Sequence, residues 1–129
     1  MNRIRVLVAD DNHIFLYSTV ELLSDEPWIE VIGRAGSGLE AVEMVQTLKP
    51  DLILMDWDMP GLNGLEATRR IKARANAPRV IMLTGHAEPE FAAAALNARA
   101  DGFVAKSEAW LRLLPSIRAL YPEASAADA

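Results

Sequence analysis

Ile4-Arg5-Val6-Leu7-Val8-Ala9-Asp10-Asp11 is the stretch on which the reading of this chain turns. A continuous, β-branched, apolar run of this length fits a strand buried on both faces, and it stops at two carboxylates. The same plan recurs three times downstream. Leu52-Ile53-Leu54-Met55 ends in Asp56, Val80-Ile81-Met82-Leu83 ends in Thr84, and Phe103-Val104-Ala105 ends in Lys106. Helix-like segments separate these runs. Strands alternating with helices predict a parallel sheet with helices on its faces. In such a sheet the strand carboxyl ends share one edge, where ligands bind. Asp10, Asp11, Asp56, Thr84 and Lys106 are therefore predicted to converge there.

Working outward, residues 4–9 read as the first strand and 13–23 as a helix. That helix has Ile14, Tyr17, Ser18 and Leu22 near one face, Val20 and Leu23 beside it, and a stop at Asp25-Glu26-Pro27. Residues 30–35 read as the second strand. Ser37 and Glu40 are spaced as a capping box, and the helix behind them carries Leu39, Val42, Val45 and Leu48, ending before Pro50. Residues 51–55 read as the third strand, followed by a Pro/Gly loop. Asn63 and Glu66 are placed to cap a helix over 64–74. A strand at 79–83, a helix at 89–98 opened by Pro89, a strand at 102–105 and a last helix to about Tyr121 complete five strands and five helices. Pro122 to Ala129 is small and polar, and its composition predicts a disordered tail or the start of a linker.

The totals narrow the class. The chain has 129 residues, 51% of them hydrophobic and 24% charged, with a net charge of −5 and no cysteine. One domain with a proper core is expected. The acidic balance argues against a nucleic-acid-binding surface, and disulfides and thiolate metal sites are excluded. The run from Met1 into the first strand leaves no room for a signal peptide. No apolar run approaches the roughly 20 residues of a membrane helix. A cytoplasmic protein that binds no membrane is expected.

Carboxylates as close as Asp10, Asp11 and Asp56 repel one another unless a cation neutralises them or their pKa values rise. Oxygen ligands without His or Cys suit Mg²⁺, with Mn²⁺ as the alternative. Lys106 supplies a point charge for a phosphate oxygen and Thr84 a hydroxyl donor. Only a carboxylate in this set is a nucleophile for covalent chemistry, which makes an aspartyl-phosphate the chemistry in view. Each feature alone has a plainer reading. An Asp-Asp pair after a strand also serves as a helix N-cap, Asp56 as a turn residue, and Lys106 as a solvated side chain.

Together these residues resemble the receiver domain of bacterial response regulators. The resemblance rests on Val8-Ala9-Asp10-Asp11, on Leu54-Met55-Asp56-Trp57-Asp58-Met59-Pro60-Gly61 with Asn63-Gly64, on Leu83-Thr84-Gly85, and on Asp101-Gly102-Phe103-Val104-Ala105-Lys106. It implies a flavodoxin-like α/β three-layer sandwich with strand order 2-1-3-4-5, the order the family is known for, and a receiver domain over residues 1–121. It also implies that Asp56 accepts a phosphoryl group from the phosphohistidine of a sensor histidine kinase or a histidine phosphotransfer protein. Mg²⁺ is then held by Asp11, Asp56 and the backbone carbonyl of Asp58, with Asp10 acting through a metal-bound water. Thr84 and Lys106 hold the phosphoryl oxygens. Thr84 and Phe103 are the switch pair, coupling the phosphoryl group to the face of the fourth helix, fifth strand and fifth helix, through which a homodimer can form. Such a module is not an enzyme beyond assisting its own phosphorylation and dephosphorylation.

Lys106-Ser107, Asp10-Asp11-Asn12-His13 and Gly64-Leu65-Glu66-Ala67-Thr68 look like the subgroup that carries a LuxR-type helix-turn-helix output. The output is accordingly transcriptional where a DNA-binding domain is joined, or docking and phosphorelay where the receiver stands alone. Arg99 stands where relatives often have glycine, and at φ > 0 it costs about 1 kcal/mol. Pro115 is expected to kink or restart the last helix. Asp58 and His86 are rim positions; an acid at 58 either disfavours an attacking hydroxide or orients water, and a loop histidine needs no function. Trp110 reads equally as a docking residue or as a cap over Leu113 and Leu114. One alternative from another class is a small aspartate-nucleophile phosphatase, because Asp56-Trp57-Asp58 has the Asp-x-Asp spacing of haloacid-dehalogenase-like enzymes. That motif would be expected after the first strand, not the third.

Overall fold

The computed structural model describes residues 3–86 and 88–126. Its strands are β1 (Ile4–Ala9), β2 (Ile29–Ala35), β3 (Leu52–Asp56), β4 (Arg79–Thr84) and β5 (Gly102–Ala105). They form one parallel sheet in the order β2-β1-β3-β4-β5. Between and after them run α1 (His13–Ser24), α2 (Gly38–Leu48), α3 (Gly64–Lys72), α4 (Pro89–Asn97), a 3₁₀ turn over Lys106–Glu108, α5 (Ala109–Leu120) and α6 (Pro122–Ala126). The flavodoxin-like sandwich expected from the sequence is the fold observed.

Successive strand residues point to opposite faces, and the continuous apolar runs use both. Val6, Val8, Leu52, Leu54, Ile81 and Leu83 pack with α1 and α5 residues such as Leu16, Leu23, Leu113 and Ile117. Leu7, Ile53, Met55, Val80 and Met82 pack with Ala41, Val45, Ala67, Ile71 and Ala95 on the other side. A sheet buried on both faces is held rigidly, so its carboxyl edge is a firm base for the groups mounted on it.

Three helices begin as their sequences direct. Asn12, Ser37 and Asn63 each accept a backbone N–H three residues on, a bond worth about 1 kcal/mol at each N-cap. Asn12, not the Asp10-Asp11 pair, is therefore the cap of α1. Glu40 reaches back to the N–H of Gly36 at 2.6 Å, one residue before the cap.

The structure corrects four local expectations. Ile14 and Tyr17 do not face the core: they are 81% and 60% exposed, and α1 buries Leu16, Thr19, Val20 and Leu23 instead. Apolar residues occupy both candidate stripes of this helix, and Leu16, Val20 and Leu23, at i, i+4 and i+7, form the one that packs in the core. Pro115 does not restart α5, which runs unbroken from Ala109 to Leu120. The carbonyl it leaves without a donor belongs to Leu111, itself exposed, so water can serve it. Trp110 is 86% exposed and does not cap its neighbours, whereas Leu113 is buried. The stretch read as a disordered tail carries α6 over Pro122–Ala126, with Tyr121 and Ala124 packed on the core. Residues 127–129 of that stretch, and Met1 and Asn2, lie outside the described residues.

Candidate functional site

The carboxyl ends of β1 and β3 are neighbours in the sheet, so Asp10 and Asp56 emerge side by side. Asp10 follows Ala9 directly and stays in strand register by donating its N–H to Ala35 O at 2.9 Å. Asp56 closes β3. The next residue, Trp57, is tied to β4 through its N–H to Leu83 O at 3.0 Å. The loop beyond returns so tightly that a Cβ on Gly64 would stand 1.9 Å from the backbone oxygen of Asp56. Glycine is required at that position by close approach, and the contact fixes the backbone of Asp56.

One carboxylate oxygen from each of Asp10, Asp11 and Asp56 lies within 4.8 Å of the others. Asp10 and Asp56 are buried and Asp11 is exposed, which leaves the cluster open on one side. Lys106 Nζ stands 2.9 Å from Asp10 Oδ2 and 3.1 Å from Asp56 Oδ1. The first of these contacts is close without being aligned, so Asp10 Oδ2 is a buried oxygen without an oriented donor. Asp10 Oδ1, by contrast, accepts the N–H of Asn12 at 2.8 Å.

The electrostatics follow from this crowding. Burial, then the charge of Asp10, push the Asp56 carboxyl up to about 7, with Lys106 opposing. Burial alone would lower the Lys106 ammonium; its close contact with Asp10 and the charges of Asp10 and Asp56 outweigh that and hold it above its ordinary value. A single ammonium does not neutralise three carboxylates. An orphaned buried oxygen, oxygen-only ligands and an open side are what a hard divalent cation requires, so the residues fit Mg²⁺.

The remaining predicted residues lie around this cluster. Thr84 is fully buried at the end of β4, and its hydroxyl oxygen accepts the N–H of His86 at 2.9 Å. Phe103 is half-buried on β5 and meets Trp57 edge-on, with ring centroids 6.4 Å apart. The Asp58 side chain points across the mouth to His86, Oδ2 to Nε2 at 2.8 Å. Sequence reasoning did not anticipate that His86 stacks on Phe91 at 4.4 Å, or that Phe91 packs edge-on against Trp57 at 5.2 Å. Nor did it anticipate that Lys106 Nζ lies over the ring of Phe15, 4.5 Å from its centroid. His86 and Phe91 lie within one connection, but no spacing rule links the other pairs, which sit on separate elements, so only the fold reveals these contacts.

Comparison with known proteins gives a consistent result. The family model for the response regulator receiver domain matches residues 6–118. Response regulator UvrY of Escherichia coli (strain K12) is 37% identical over 118 residues, covering 92% of this chain and 54% of that protein. Response regulator GacA of Pseudomonas aeruginosa is 32% identical, covering 92% and 55%. The chain spans about half the length of these curated relatives. Among solved structures, a LuxR-family two-component response regulator from Aurantimonas sp. SI85-9A1 superposes with a TM-score of 0.87 at 32% identity, covering 92% of this chain and 85% of the other. The isolated receiver domain of RcsB from Salmonella enterica serovar Typhimurium, with the phosphomimetic BeF3⁻, gives a TM-score of 0.87 at 26% identity, covering 95% and 91%.

Proposed function

The chain belongs to the response regulator receiver domain family, and from that premise we propose that it is a phosphorylation-controlled switch whose acceptor is Asp56. Family membership favours this reading over the phosphatase alternative. An oxygen of the Asp56 carboxylate attacks the phosphorus of a phosphohistidine on a sensor histidine kinase or histidine phosphotransfer protein. A P–O bond forms as the P–N bond breaks, and the imidazole leaves with a proton from solvent. Asp10, Asp11, Asp56 and the backbone carbonyl of Asp58 are the groups to hold Mg²⁺, or Mn²⁺ in its place. The ion when bound offsets the charge of the carboxylates and of the phosphoryl oxygens. Lys106 donates to one phosphoryl oxygen and Thr84, released from His86, to another.

The added group carries roughly −2 charge with strong acceptor oxygens. Movement of Thr84 toward it opens space for Phe103 to turn inward, which alters the face built from α4, β5 and α5. Leu96, Trp110 and Leu111 are exposed on those helices, and this face serves a homodimer or an output partner. Residues 1–121 are the switch unit. Among the described residues no helix is long and apolar enough to cross a membrane. A cytoplasmic switch that does not itself contact nucleic acid accords with that and with the acidic charge.

The observation that carries this reading is the meeting of Asp10, Asp11 and Asp56 oxygens within 4.8 Å beside one ammonium. The protein and Asp56→Asn are incubated with acetyl phosphate, with and without Mg²⁺, and followed by intact mass and size-exclusion elution. A gain of one phosphoryl group that needs both Mg²⁺ and Asp56 is expected. No gain from acetyl phosphate or from a phosphorylated histidine kinase overturns the reading. An accompanying shift in elution assigns the output to dimerisation, and an unchanged elution assigns it to docking or relay.

A further inference from the structure

Two carboxylates explain why an ammonium is attracted to this edge of the sheet, but not what holds it in one place. Lys106 lies immediately past β5 on a flexible four-carbon stem, and its side chain is 22% exposed. Solvent-facing rotamers compete with the one observed. Nζ also lies over the face of Phe15, 4.5 Å from the ring centroid. The face of a benzene ring is the negative pole of its quadrupole and attracts a cation, most strongly where water is partly excluded.

The Phe15 side chain is partly buried against the core, and its backbone is fixed. Its N–H donates to Asn12 Oδ1 at 3.0 Å, and its carbonyl accepts from Thr19 Oγ1 at 2.8 Å. Asn12 in turn donates its N–H to Asp10 Oδ1 at 2.8 Å, while Asp10 Oδ2 faces Lys106 Nζ at 2.9 Å. These contacts close a ring through Asp10, Asn12, Phe15 and Lys106. The N-cap of α1 thereby sets the aromatic face against the same ammonium that the carboxylate attracts.

We propose that Phe15 is a positioning residue for phosphoryl transfer, its ring holding the Lys106 ammonium over the Asp10–Asp56 pair. The proposal rests on the reading of Asp56 as the acceptor. An aliphatic side chain of similar size shields Lys106 from water but does not attract it. The ring narrows the ammonium's range, so that it is in place when the phosphoryl group arrives.

Three proteins test this: wild type, Phe15→Leu and Phe15→Tyr, each checked for an intact thermal transition. Initial phosphorylation rates are measured with acetyl phosphate over a range of Mg²⁺ concentrations, and the Lys106 ε-methylene resonances are recorded by NMR. In Phe15→Leu the rate at saturating Mg²⁺ is expected to fall by roughly five-fold, with the half-saturating Mg²⁺ concentration unchanged. The upfield ring-current shift of the ε-methylene is expected to disappear with it. Phe15→Tyr keeps the π-face and is expected to restore both. A Phe15→Leu protein that matches a competent wild type, or a Phe15→Tyr protein as slow as Phe15→Leu, overturns the proposal alone. A wild-type protein that takes no phosphoryl group overturns the acceptor reading, and this proposal falls with it.

Discussion

In the proposed switch Asp56 is both buried and a nucleophile, and the two demands conflict. Its carboxyl is raised from an ordinary 3.8 to about 7, first by burial and then by Asp10. A carboxyl raised on folding contributes most to stability below its unfolded pKa and loses that contribution as pH climbs through the folded value. Without a metal ion, the protein is therefore expected to lose stability between about pH 4 and pH 7. Asp56→Asn removes this penalty. Its melting temperature in EDTA is expected to exceed that of wild type by on the order of 5 °C at pH 8 and to match it near pH 4. Parallel curves at both pH values would argue against the raised carboxyl. A second residue-scale expectation concerns Asp58 and His86, which bridge the mouth of the site at 2.8 Å. With its carboxylate engaged there, Asp58 is expected to obstruct water more than to orient it. Asp58→Asn and His86→Leu are each expected to shorten the lifetime of the phosphoryl group by roughly three-fold, with the double variant no faster than either single one. Unchanged lifetimes in a radiolabel-chase assay would refute the bridge.

At the scale of elements, the end of α4 departs most from local preference. Arg99 has φ of 70°, in the left-handed region. The backbone there closes the helix: Arg99 N–H reaches Leu96 O at 2.9 Å and Ala100 N–H reaches Ala95 O at 3.0 Å. This is the paired bonding of a Schellman end, which favours glycine at the left-handed position. Arginine is tolerated there because its guanidinium donates to Lys72 O at 2.5 Å, linking the ends of α3 and α4. Arg99→Ala keeps the strain and loses the link, whereas Arg99→Gly loses the link but relieves the strain. The glycine variant is expected to be more stable than the alanine variant by about 1 kcal/mol in urea unfolding, the reverse of their order inside a helix. This end was legible only through the family resemblance, in which glycine often stands at that position; arginine itself gives no signal of φ > 0. The phase of α1 was not, because its apolar residues do not form one stripe.

For the whole molecule, the sheet binds together groups from four strand ends, and a cation bound at that edge should stabilise the entire domain. At about ten times its dissociation constant, Mg²⁺ is expected to raise the melting temperature of wild type at pH 8 by about 5 °C, and that of Asp56→Asn by less. No rise in a thermal scan would count against the acidic cluster as a cation site. The parallel sheet and the convergence of Asp10, Asp11, Asp56 and Lys106 were legible in the residues themselves, and the strand order through the family resemblance. Continuous apolar runs have few solutions other than a sheet covered on both faces, and a parallel sheet puts all its carboxyl ends on one edge. What only the tertiary structure decided is how the loops meet above that edge: Phe15 against Lys106, His86 against Asp58 and Phe91, Thr84 turned toward its own loop. Thr84 and the His86–Phe91 stack lie within one connection, but the other contacts join side chains on different ones, across distances set by helix phase and loop return. No periodicity in the chain encodes such distances, whereas burial of the strands is written into nearly every residue that forms them.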